Sequence, residues 1–118
     1  MLEWKNLGRH NQRMMEVLNL VFLNHEKLLQ FLFEIERPVL RQEPEALLNS
    51  ACGFSSGEQV LIRVGLDLWN GTGSVRLWDL IDLLDDETYF NVLKGLYHLR
   101  YFEDENEVII WRQPKMAY

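Results

Sequence analysis

The chain reads as a mainly α single domain, with a long N-terminal helix, several shorter helices and a small C-terminal β-hairpin. Three observations predict this. At 118 residues the chain is one domain long, and 47% hydrophobic with 25% charged residues is a globular composition. Residues 9–36 contain neither proline nor glycine and carry apolar side chains at heptad spacing. Two later stretches, 57–69 and 88–99, show helical periodicity behind residues that cap helices.

The first element is expected to be one helix over roughly residues 9–36, stopped by Pro38. Its seam is Met14, Leu18, Val21, His25, Leu28, Leu32 and Ile35, broken only by His25. Met15, Phe22, Leu29 and Phe33 flank the seam, and Leu20, Leu23 and Phe31 add apolar surface elsewhere. A helix apolar over so much of its circumference is buried, either by later helices of the same chain or against a second copy or partner. Met14, Leu18, Val21, Leu28 and Leu32 are the face expected to meet such a partner.

Residues 38–48 read as a short second helix, with Pro44 suited to a first turn and Glu45 complementing the positive end of the dipole. A connection follows through Cys52 and Gly53. Ser55 or Ser56 is placed to cap a helix over 57–69, with Glu58 near its third position. That helix gathers Val60, Leu61, Val64 and Leu68 on one face and ends at Asn70-Gly71-Thr72-Gly73, residues that accept positive φ. Residues 74–77 are expected to be extended, and 78–84 a short helix with Leu80, Ile81 and Leu84 inward. Asp85, Asp86 and Glu87 sit at the start of the next helix, 88–99, whose apolar stripe is Phe90, Leu93, Leu96 and Tyr97. Tyr101-Phe102 and Val108-Ile109-Ile110-Trp111 are β-prone and flank a polar turn, Glu103-Asp104-Glu105-Asn106-Glu107. The chain thus divides into residues 9–54, N-terminal helices and connection, and residues 55–118.

In order, the second part resembles a winged-helix domain. The run Val75-Arg76-Leu77-Trp78-Asp79-Leu80-Ile81-Asp82-Leu83-Leu84 looks like the short strand and second helix of that fold. Asn91-Val92-Leu93-Lys94-Gly95-Leu96-Tyr97-His98-Leu99 looks like its third helix, and residues 101–111 like its wing. The resemblance is topological and rests on no diagnostic motif; a plain helical bundle with a C-terminal tail accommodates the same elements. In winged-helix DNA binders the third helix enters the major groove while bases along it and the wing meet phosphate. Here that helix offers Lys94, His98 and Arg100, but its start and the wing are acidic.

Charge distribution decides against that use. Between Asp79 and Glu107 nine acids face only Lys94 and Arg100, a net of −7 in a chain whose formal net charge is −6. Carboxylates held near phosphates repel them, so nucleic acid is an unfavourable ligand and anionic lipid equally so. Lys5, Arg9, His10 and Arg13 form the one modest basic cluster, which reads more simply as a solvated helix start. With one cysteine there is no intrachain disulfide framework. The start, Met1-Leu2-Glu3-Trp4-Lys5, lacks the pattern of a cleavable signal, and residues 14–35 are too polar to span a bilayer. A soluble cytoplasmic protein is expected.

No catalytic or metal-binding pattern stands out. His10, His25 and His98 are not at ligand spacing, and Cys52 lacks a partner motif. His25 within the seam is either a pH-sensitive interface group or a partly exposed residue where the seam thins. The paired carboxylates, Asp82 with Asp85 or Asp86 and Asp67 with the C-terminal acids, read as caps and solvated surface. Gly71-Thr72-Gly73 lacks the Lys-Ser/Thr of a phosphate loop and follows a helix. Four tryptophans, Trp4, Trp69, Trp78 and Trp111, are many for this length, and Trp4 or Trp111 is a candidate interface anchor. The expected function is a small acidic interaction module without catalytic activity, cofactor, metal or small-molecule substrate. Its partner is a protein with a basic surface, which it regulates or inhibits, or a second copy. The acidic surface is Asp85, Asp86, Glu103, Asp104 and Glu105. The alternative is a dimeric winged-helix transcriptional regulator that binds DNA.

Overall fold

The heptad seam of residues 9–36 folds as two helices instead of one. The computed structural model describes residues 1–102. In it α1 is Arg9–Val21 and α2 is Glu26–Leu32. After Val21 the ladder tightens: the Leu23 amide donates to the Leu20 carbonyl at 3.3 Å and the His25 amide to the Phe22 carbonyl at 2.8 Å. His25 then leaves helical geometry (φ −133°, ψ 51°) and becomes the N-cap of α2. The reason lies 63 residues away in sequence, where Asn24 Nδ2 donates to the Glu87 carboxylate and His25 Nε2 shares a 2.8 Å hydrogen bond with Thr88 Oγ1. Asn and His are weak helix formers, about half a kcal/mol or more behind Ala each. Two tertiary hydrogen bonds, each of order 1 kcal/mol, hold the chain in its broken form there.

The remaining helices are α3 Pro44–Ser50, α4 Ser56–Asn70, α5 Leu77–Leu83 and α6 Asp86–Tyr101, with a 3-10 turn, Ala51–Gly53, after α3. The second helix was expected to begin at Pro38. It begins at Pro44, because backbone bonds from Glu34 to Val39 (3.0 Å) and from Arg41 to Leu32 (2.9 Å) hold the preceding residues as a bridged loop. Phe33 and Leu40 form an isolated antiparallel bridge in it. Residues 74–77, expected to be extended, form no strand. The Asp67 carboxylate gathers that turn by accepting the amides of Gly73, Ser74 and Val75 at 2.8, 3.0 and 2.9 Å. Tyr101, assigned to the first hairpin strand, is the last residue of α6, where the helical pattern persists beyond Leu99. The rest of the expected hairpin, with Glu103, Asp104 and Glu105, lies outside the described residues.

The core forms around α4, on which Val60, Leu61, Ile62, Val64, Gly65 and Leu66 are all buried. Such a run, broken only by the half-buried Arg63, requires neighbours on several sides. Gly65 admits two of them: a Cβ there would lie 2.9 Å from both Phe22 Cζ and Leu32 Cδ1. The most extensive helix pair is α1 with α6. Gly95 of α6 sits against Val17 and Val21, and a Cβ on it would collide with Val21 Cγ2. Side chains reinforce the pair, since Arg13 donates to the Leu99 carbonyl through Nε (2.9 Å) and Nη2 (2.5 Å), and His98 Nε2 lies 3.0 Å from Glu16 Oε1. A cation at the carbonyl end of α6 also complements its dipole.

The segment before α1 is strapped across this core. Leu2 and Trp4 are buried. The Leu2 amide donates to Asn19 Oδ1 at 2.8 Å, the Glu3 amide to the Ile35 carbonyl at 2.8 Å, and Trp4 Nε1 to the Glu34 carbonyl at 2.8 Å. Trp4, Phe33 and Trp69 meet edge to face with centroids 5.3–5.9 Å apart. Among the described residues, no helix is long and apolar enough to cross a membrane.

Candidate interaction surfaces

The face expected to meet a partner is consumed inside the chain. Met14, Leu18, Val21, Leu28 and Leu32 are 4%, 0%, 0%, 2% and 0% exposed in the single chain. Of the two burials the seam allowed, the intrachain one accounts for these five residues, so their surface is not available for docking a second copy.

Apolar surface appears instead on α5 and α6. Leu80 and Leu84 pack against the core as expected. Ile81, expected inward, is 52% exposed, and Leu77 and Trp78 are 75% and 73% exposed. This seven-residue helix meets α4, and Leu80 within it and Leu84 at its C-cap supply the core contact. Residues 77, 78 and 81 lie on a neighbouring arc that meets solvent. Asp82 stands one turn beyond Trp78, and Asp85 and Asp86 follow at the start of α6, all exposed.

Helix α6 is turned relative to the expected stripe. Its buried residues are Thr88, Asn91, Val92 and Gly95. Phe90, Leu93, Leu96 and Tyr97, read from the sequence as the inward stripe, are exposed. The cause is the close α1 contact, which only the small residue at 95 permits. The alternative spacing Thr88, Val92, Gly95, Leu99 was present in the sequence, but hydrophobicity ranks it below the aromatic stripe.

The carboxylates at the helix starts have local partners. Ser55 and Glu58 form a reciprocal capping box: Ser55 Oγ accepts the Glu58 amide and Glu58 Oε1 accepts the Ser55 amide. Asp85 caps α6 by accepting the Thr88 amide at 2.8 Å. The backbone hydrogen bond from Ser55 holds the Glu58 carboxyl below its ordinary pKa, with the Ser55 side-chain bond adding to it. The backbone and side-chain bonds of Thr88 do the same for Asp85. The starts of α2, α4 and α6 converge here on a cleft of about 200 Å³ that includes His25, Ser55, Glu58, Asp85 and Thr88. Each of those side chains already bonds another within the chain, so the cleft is a junction between helix starts.

The basic cluster is not a free stripe. Arg13 is directed to the Leu99 carbonyl, and Lys5 and His10 are exposed before and within α1. Cys52 is exposed and unpaired in the 3-10 turn. Among the described residues no group of three His, Cys, Asp or Glu side chains is placed to hold a metal ion. Trp4, one of the two candidate anchors, belongs to the core, and Trp111 lies outside the described residues. Among the described residues the tryptophan that stands in solvent is Trp78, whose only sequence signal was its place at the start of a short helix among acids. Comparison of the chain with family models, with curated proteins and with solved structures finds no match.

Proposed function

We propose that this chain is a small, acidic interaction module without catalytic activity. Its partner is a protein with a basic surface, which it regulates or inhibits. One observation carries the reading: α5 holds Leu77, Trp78 and Ile81 in solvent beside Asp82, Asp85 and Asp86. A tryptophan among exposed aliphatics is the composition of an interface centre, and a rim of one charge sign steers and orients a partner of the opposite sign. Within the proposal, α4, α5 and α6 serve as the three helices of a winged-helix-like scaffold that presents protein-binding surface. The exposed free thiol of Cys52 suits a reducing, cytoplasmic setting. The DNA-binding alternative loses support, because Arg13 is committed to α6 and the helix that would enter the groove begins with Asp85, Asp86 and Glu87.

The test uses a Lys/Leu amphipathic peptide and mixed-sequence duplex DNA as probes at about 50 and about 150 mM salt. Peptide binding that weakens with salt, and drops at least about tenfold with Trp78→Ala or Asp82→Asn, is expected. Duplex DNA bound more tightly than the peptide, or peptide binding indifferent to both substitutions, overturns the reading.

A further inference from the structure

We propose that a second copy of this chain covers the outer face of α6, in a two-fold antiparallel helix pair centred between Leu93 and Lys94. This surface is distinct from the α5 surface on which the functional reading rests. The starting observation is that α6 is built inside out. Its inward face carries Thr88, Asn91 and Gly95 beside Val92 and the half-buried Leu99, and Asn91 Nδ2 is buried without a hydrogen-bond partner. Its outward face carries Phe90, 58% exposed, with Leu93, Leu96 and Tyr97. Phe90, Leu93 and Tyr97 follow at i, i+3 and i+7, which is one continuous stripe. A helix apolar on the side away from its own core has a second neighbour.

Charge along the stripe selects the neighbour and its direction. Asp86 and Glu87 stand in the first turn of α6, while Lys94 is exposed in its second half and Arg100 lies in its last turn. Asn24 Nδ2 donates to Glu87 Oε1 and fixes that carboxylate beside the stripe. Arg100 Nε donates to the Tyr101 hydroxyl at 3.2 Å, with its guanidinium 5.6 Å from the Tyr101 ring centre, and is held near the other end.

Two copies of this helix laid parallel would oppose acids to acids and bases to bases. Laid antiparallel about the midpoint of residues 93 and 94, Glu87 meets Arg100 of the other copy and Phe90 meets Tyr97. The Lys94 stem then lies along Leu93. Each contact occurs twice, as a two-fold interface requires, and the two helix dipoles also oppose. At 16 residues α6 is about 24 Å long. One helix pair of that length is at the small end of specific interfaces, so association in about the micromolar range is expected.

Sedimentation of the full chain from about 1 to about 500 µM reads this directly. A concentration-dependent monomer–dimer equilibrium is expected. Phe90→Glu should weaken it at least about tenfold, with the unfolding midpoint held, because the side chain is exposed. Arg100→Glu should weaken it as well, and Arg100→Glu combined with Glu87→Lys should restore it, which a merely apolar contact would not do. In a Cys52→Ser background, Leu93→Cys should oxidise to a linked dimer. Asp86→Cys should not, because its two copies stand about 22 Å apart along the pair and a disulfide needs Cα atoms within about 7 Å. A monomer throughout the range, a dimer indifferent to Phe90→Glu, or linkage through Asp86→Cys overturns the proposal. A monomer in which Leu93→Cys resists maleimide overturns it too, and assigns the cover of this face to the chain's own residues 103–118.

Discussion

Gly95 decides on which side α6 faces the core. A Cβ at this position collides with Val21 Cγ2, so Gly95→Ala must push α1 and α6 apart or shift Val21. Overpacking of this kind costs about 1–3 kcal/mol, and chemical denaturation of the variant should show a loss in that range. One turn back, Asn91 buries an amide nitrogen without a partner. Replacing such a group by an apolar one of similar volume removes a desolvation cost. Asn91→Leu should therefore raise the unfolding free energy by about 1 kcal/mol, and a loss in the same denaturation experiment would refute that account. Neither residue advertised its role in the sequence. Glycine in a helix reads as a weakness and asparagine as surface, while both face inward here because the neighbouring helix comes close.

Helix starts were the most legible elements. Ser55 with Glu58, and Asp85 before its helix, are local patterns whose geometry depends on residues three apart, and both caps form. Ser55→Ala should cost about 1 kcal/mol of stability. Both carboxyls are held below their ordinary pKa values by hydrogen bonds at their caps. Their stabilisation is therefore fully present above the unfolded-state carboxylate pKa and disappears as pH falls through the lowered folded values. Thermal melts between pH 7 and pH 3 should show a declining midpoint at the acid end. Glu58→Gln with Asp85→Asn should lower the midpoint at pH 7 and flatten the decline. The long N-terminal helix was legible as apolar periodicity but not as two pieces. The heptad spacing runs through the break, and the bonds that cause it come from Glu87 and Thr88. No window of local sequence contains both ends of those bonds.

At the scale of the whole molecule, composition gave the class and left the wrapping open. The described residues are mainly helical, in line with expectation, and the apolar excess of α1 and α2 finds its neighbours in α4 and α6 of the same chain. What periodicity could not supply was the choice between two faces on α6, because each has a consistent helical spacing. The N-terminal strap was equally hidden, since Leu2 and Trp4 precede any periodic element. Trp4 is buried, bonds Glu34 and touches both Phe33 and Trp69. Trp4→Ala should therefore destabilise the molecule by about 3–5 kcal/mol in denaturant titrations, far more than Trp78→Ala, whose ring stands in solvent.

The dominance of the α1–α6 pair has a kinetic consequence. The largest helix contact joins the first helix to the last one described, and contacts between residues distant in sequence slow folding. On a ribosome, Val17 and Val21 emerge well before Gly95, which must follow by more than seventy residues. At about 5–20 residues per second, that leaves α1 without its principal neighbour for about 4–16 s. During those seconds its valines are open to whatever meets nascent chains, and the molecule closes only when the glycine that admits them arrives.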